Sequence, residues 1–117
     1  MKKTLYGIPN CDTVKKARTW MTEQGHDCDF HDFKKQGLER AAVAQWLTQL
    51  AWEVLVNRKG TTWRGIPDQR KAVIVDAASA LELMLELPSV IKRPVLHHAQ
   101  QFHVGFSDAR YRQIFNL

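Results

Sequence analysis

A chain of 117 residues is long enough for one hydrophobic core and too short for two. With 44% apolar and 25% charged residues it has the make-up of an ordinary globular protein, which excludes disordered and fibrous classes. The net charge of +5 suits an anionic ligand, but the 17 Lys and Arg are spread along the chain, so a small anion fits as well as a polymer.

No apolar run approaches the roughly 20 residues needed to span a bilayer, and the first residues lack the apolar segment of a signal peptide. The expectation is a cytoplasmic protein with no membrane partner and no direct contact with nucleic acid. Two cysteines, Cys11 and Cys28, are too few for a disulfide framework. Neither belongs to a C-x-x-C motif or to a Cys/His pair at metal spacing, so no metal site is expected and a single reactive thiol is the hypothesis to test.

In chain order, residues 2–8 (KKTLYGI) read as a short strand closed by Pro9. After Cys11, the residues Val14, Ala17 and Met21 share one helical face, and Gly25 is a natural stop. Residues 26–33 (HDCDFHDF) alternate well enough for a second strand, completing a parallel strand–helix–strand unit. In residues 38–50, Val43, Trp46, Leu47 and Leu50 stand at helical spacing.

Residues 52–60 (WEVLVNRKG) continue as a short helix capped by Gly60, and TTWRGIP (61–67) reads as an irregular connector. From Asp68 to Leu87 the pattern predicts one or two helices, with Ser79 as an internal N-cap and Pro88 as the stop. Residues 91–98 and 102–106 are apolar runs parted by AQQ, a hairpin signal, and Ser107 can cap a last helix to Phe115. This order is that of an α/β thioredoxin-like fold (β-α-β, helical insertion, β-β-α) with a mixed four-stranded sheet. It predicts one domain over residues 1–117 with the insertion at about 36–90.

The chemistry falls at Cys11. A thiol at the start of a helix meets the positive end of the helix dipole and unpaired backbone N–H groups, both of which favour thiolate. The same turn can hold an anion, with Asn10 and Thr13 adding polar contacts. The alternative is a small inert residue tucked under the loop. Cys28 beside Phe30 reads as structural. His97 and His98 are adjacent in a strand and face opposite sides, so both cannot serve one ligand. Lys15 and Lys16 read as a solvated face, and the four Trp as packing residues.

Three segments, IPNCDTVKKA (8–17), VNRKG (56–60) and IKRPVL (91–96), together resemble the signatures of the arsenate reductase (ArsC/Spx-like) family, most of all its YffB-type members. The resemblance implies the thioredoxin-like fold with its helical insertion, Cys11 as nucleophile, and glutathione or a glutaredoxin as thiol partner, with no tightly bound cofactor. It places Arg58 and Arg93 where the arsenate-reducing members hold their oxyanion, and Pro94 where thioredoxin-like folds carry a cis-proline. Arginine suits both roles because it stays charged and offers a planar fork of donors.

Two departures narrow the reading. The arsenate reducers use a third arginine in the final hairpin, where this chain has His103 and Val104, so its oxyanion clamp is weaker. The Spx branch carries a C-x-x-C whose second position here is Val14, so an internal disulfide switch is missing. The function expected is a one-cysteine, glutathione-dependent thiol reductase. The alternative is an Spx-like regulator that contacts RNA polymerase with little catalysis.

Overall fold

The computed structural model describes residues 2–117. The chain forms two compact units, residues 2–36 with Arg93–Leu117, and Gly37–Lys92. Among the described residues no helix is long and apolar enough to cross a membrane.

The first unit begins with strand β1 (Thr4–Gly7), helix α1 (Asp12–Glu23), strand β2 (Asp29–Asp32) and a single helical turn, α2 (Phe33–Gln36). The predicted strand over 26–33 is shorter at both ends, because Phe33 turns inward to open α2 and Asp32 accepts from the Lys34 and Lys35 amides. β1 pairs with β2 in parallel, Thr4 opposite Asp29 and Gly7 opposite Asp32. The face of α1 read from its spacing is buried at Val14, Ala17 and Met21, and Trp20 joins it. Gly25 stops the chain at φ +72°, a conformation glycine takes without steric cost. Gly7 acts through close approach instead. A Cβ there would meet Val14 Cγ2 at 2.8 Å, so its bare backbone lets α1 cross close over β1.

The second unit is helical: α3 (Arg40–Leu47), α4 (Trp52–Leu55), α5 (Thr61–Arg64), α6 (Asp68–Lys71) and α7 (Ala77–Glu86), followed by a 3-10 turn at Pro88–Val90. Val43 and Trp46 of α3 pack with Ala80, Leu83 and Met84 of α7 among its buried residues. Three local expectations are corrected. Gly60 does not cap α4 but stands at the N-cap of α5, so TTWR is a helical turn rather than an irregular connector. The N-cap of α7 is Asp76, whose carboxylate accepts the Ser79 amide at 2.8 Å while the Ser79 hydroxyl accepts the Asp76 amide at 3.1 Å. Ser79 is thus the third helical residue of a capping box, which is why its pattern resembles a cap. Pro88 opens the 3-10 turn instead of merely ending α7.

Back in the first unit, β3 (Val95–His98) and β4 (Gln101–Val104) form the hairpin, and α8 (Asp108–Ile114) closes the chain with Ser107 accepting the Arg110 amide at 3.1 Å. β3 is antiparallel to β1, which gives the mixed order β2-β1-β3-β4. Leu5, Ala17, Trp20, Met21, Leu96 and Tyr111 form one core cluster, so α1 and α8 lie over the same face of this sheet. The Trp20 indole donates to Asp108 at 2.8 Å and ties the two helices together. The topology is that of an α/β thioredoxin-like sheet with the helices of residues 37–92 inserted between β2 and β3 in sequence.

Two features of this unit have measurable consequences. The hairpin turns through Ala99 and Gln100, both left-handed at φ 53° and 65°, where an L side chain costs on the order of 1 kcal/mol. Ala99→Gly should therefore stabilise the protein by up to about 1 kcal/mol in urea denaturation. At Phe115, His26 stacks on the ring at a centroid distance of 4.3 Å and His98 lies tilted against it at 4.6 Å. Burial, aided by the charge of Lys3, holds both imidazoles below their ordinary value, so the unfolded chain binds more protons than the folded one as the pH falls through about 6.5. Stability should decline below that pH, read as a falling Tm between about pH 7.5 and about pH 5, and His98→Gln should flatten the decline.

Candidate active site

The stretch between β1 and α1 is built to present a sulfur. Pro9 and Asn10 form a tight turn closed by the Cys11 amide donating to the Ile8 carbonyl at 3.2 Å, with proline at a corner that suits its fixed φ. Cys11 then occupies the N-cap of α1 in extended conformation, φ −101° and ψ 128°, and its carbonyl accepts the first helical bond from Lys15 at 2.9 Å. Asn10 is exposed, while Cys11 and Thr13 are half-buried.

The electrostatics around the sulfur favour the anion. The neutral side chain makes no capping hydrogen bond. Burial alone would push the thiol up, but the Val14 amide, the Arg93 guanidinium and the Thr13 amide outweigh it and hold the thiol below its ordinary value. Thr13 therefore contributes its backbone here, and Arg93 contributes both a hydrogen bond and charge. Arg93 itself is half-buried and leads into a cis peptide bond to Pro94, which is buried at the start of β3. The Pro94 carbonyl accepts the Gly105 amide at 2.8 Å and pins the end of the hairpin to this spot.

Arg58 lies in the second unit, exposed in the turn after α4. Asn57 shapes that turn: its carboxamide oxygen accepts the Lys59 amide at 3.2 Å and its backbone carbonyl accepts the Gly60 amide at 3.2 Å. The Arg58 guanidinium sits over the Trp52 ring, 5.4 Å from its centroid. An antiparallel bridge of Val56 to Ile91, flanked by bonds from Asn57 to Val90 and from Lys92 to Leu55, stitches the VNRKG segment to the residues before Arg93. Of the residues singled out from sequence, Cys11, Asn10, Thr13, Arg93 and Pro94 all fall in the first unit.

The second thiol has the opposite character. Cys28 precedes β2 at the edge of the sheet where Thr4 meets Asp29, whereas Cys11 lies beyond the far end, past Gly7. The run from Thr4 to Gly7 alone is about 10 Å, more than the roughly 7 Å that a disulfide's Cα atoms tolerate. Burial first, and then the Asp29 carboxylate, push the Cys28 thiol up to about 11. His97 and His98 do face opposite sides, His97 stacking on Phe102 at 4.4 Å and His98 lying tilted against Phe115. Burial, and then the Arg110 charge, hold the His103 imidazole below its ordinary value. Sequence reasoning misses Arg110, whose guanidinium donates to the Val104 carbonyl at 3.2 Å, beside the Gly105–Pro94 contact. Ser107 three residues earlier, as the cap that starts α8, is the signal that would turn Arg110 back toward β4.

Comparison with known proteins gives this geometry its context. A solved structure of a protein named YffB superposes with a TM-score of 0.91 at 45% identity, covering 96% of this chain and 97% of that one. An arsenate reductase (ArsC) related protein from Brucella melitensis is 50% identical, with a TM-score of 0.78, over 100% of this chain and 97% of its own. The global transcriptional regulator Spx of Streptococcus agalactiae is more distant, 25% identical over 93% of this chain and 80% of its own. The ArsC family model matches residues 6–114, from the second half of β1 to the end of α8, and this chain belongs to the ArsC family.

Proposed function

We propose that this protein is a glutathione-dependent thiol reductase that uses Cys11 as its only nucleophile. The observation that carries the reading is the half-buried Cys11 at the N-cap of α1, its sulfur held toward thiolate by the Val14 and Thr13 amides and the Arg93 guanidinium. Membership of the ArsC family and similarity to an arsenate reductase related protein support it.

The Cys11 thiolate attacks one sulfur of a disulfide RS–SR′. The S–S bond breaks, RS⁻ leaves and takes a proton from solvent, and Cys11 is left joined to SR′. With Val14 in place of a second cysteine and Cys28 remote and protonated at neutral pH, no internal thiol resolves this state. A glutathione thiolate then attacks the SR′ sulfur, releases Cys11 as thiolate and carries SR′ away as a mixed disulfide. The sum is RSSR′ plus glutathione giving RSH plus the glutathione mixed disulfide. Arg93 stabilises the thiolate as attacker and again as leaving group. Asn10, exposed beside Cys11 in the turn expected to hold an anion, and Pro94, next to Arg93 and assigned by the family resemblance, complete the proposed substrate contacts.

Cys11→Ser should abolish glutathione-coupled reduction of hydroxyethyl disulfide and remove the glutathione adduct seen by mass spectrometry; turnover surviving this change would sink the proposal. Arg93→Ala should lower kcat/KM by about 10- to 100-fold, the loss of one hydrogen bond to a charged group. Because the Cys11 thiol is held low, the alkylation rate should rise with pH and level off earlier than for free cysteine, whose midpoint is about 8.5. Arg93→Ala should move that midpoint upward, and an unchanged midpoint would deny Arg93 its part.

A further inference from the structure

Helical spacing sets Lys15, Thr19 and Glu23 in line behind Cys11 on α1, at steps of four residues. Beside this line, Lys16, Trp20 and Phe106 complete the lining of an open groove of about 320 Å³. Its far wall starts near the thiol: Phe106 follows Gly105, whose amide meets the Pro94 carbonyl, and Pro94 follows the arginine that acts on Cys11. The near wall starts one helical turn from the sulfur, at Lys15.

The charges along the groove are ordered. Lys15 and Lys16 are exposed, and among the described residues neither forms an ion pair. Arg93 adds positive charge at the thiol end. The carboxylates nearby are Asp12, exposed at the first position of α1, Asp108, already engaged by Trp20 and Arg112, and Glu23, two turns beyond Lys15 at the opposite end. Phe106 is half-buried against Tyr111 and leaves part of its ring as an apolar floor. From Lys15 to Glu23 the groove runs about 12 Å, the length of about four residues of extended chain.

We propose that this groove receives an acidic peptide segment of a protein whose disulfide Cys11 reduces. Carboxylates within two residues of the substrate cysteine meet Lys15 and Lys16, and an apolar side chain lies on Phe106. The oxidised substrate class is thereby a mixed disulfide carried on a protein, and small disulfides lack the contacts that the groove supplies. This inference rests on the reductase reading for its chemistry but not for its binding surface.

The decisive comparison sets the full chain against the double variant Lys15→Glu/Lys16→Glu, which alters two exposed side chains outside the thiol site. Substrates are two glutathionylated peptides of one sequence, one with Glu and one with Lys flanking the cysteine, and hydroxyethyl disulfide. The wild type should favour the Glu peptide, and the variant should lose roughly tenfold in kcat/KM toward it and shift preference to the Lys peptide. Activity on hydroxyethyl disulfide and the KM for glutathione should stay unchanged. Equal kcat/KM for both peptides in the wild type overturns the proposal. So does a variant whose KM for glutathione rises instead, since the lysines would then hold the carboxylates of the small thiol. A binding arm separates this from the reductase reading: a fluorescein-labelled Glu peptide with Ser for its cysteine is titrated into the Cys11→Ser protein by anisotropy. Binding that weakens when the two lysines are reversed supports the groove even if no disulfide is turned over, and absence of binding overturns it even if small disulfides are reduced.

Discussion

The sulfur at the head of α1 occupies a position that serves the helix poorly and the thiolate well. Ser, Thr, Asp or Asn at an N-cap would accept a backbone N–H and contribute about 1 kcal/mol, and the neutral Cys11 side chain makes no such bond. The amides of Thr13 and Val14 are left facing the sulfur, which is what favours its anion. Stability lost at the cap is offset elsewhere: Asp12 places negative charge at the first helical position, the Pro9–Asn10 turn fixes the approach, and Val14, Ala17, Trp20 and Met21 bury one whole face. Gly7 completes the arrangement, because a side chain there would keep Val14 from sitting so close to β1 and the helix would start elsewhere.

What the amino-acid order reveals and what it hides follow from the range of the forces involved. The face of α1, the Gly25 stop, the Ser107 cap and the hairpin are local, and each is legible from spacing or one residue's conformational preference. Alternation predicts too long a strand over 26–33 because it does not mark where Phe33 leaves the sheet for its own buried site. Ser79 misleads because both partners of a capping box carry the same side-chain chemistry, and only the backbone decides which is the cap. Cys11 is legible as an N-cap thiol, and Arg93 only through its resemblance to a family signature. Its hydrogen bond to Cys11 joins residues far apart in the chain, which no local pattern encodes.

The final hairpin holds the site in place from a distance. Burial, and then the Arg110 charge, hold the His103 imidazole in β4 below its ordinary value. The Gly105–Pro94 bond meanwhile keeps the hairpin end beside Arg93, and Arg110 reaches the same strand end from α8. Arg93 is the cation that acts on the Cys11 sulfur, and the hairpin end holds it there.

Cys28 carries a consequence of its own. Its sulfur lies in a small recess with Leu5, Met21, His26 and Phe30, under the Arg18 guanidinium that covers the Phe30 ring at 4.2 Å. Cys28 is half-buried, as Cys11 is, so what sets the two thiols apart is the charge each environment favours: burial and Asp29 keep Cys28 protonated, while amides and Arg93 draw Cys11 toward thiolate. The native chain thus carries an internal standard: an alkylating reagent at neutral pH labels Cys11 first and Cys28 long after, and the ratio of the two rates reports how strongly the head of α1 activates its sulfur.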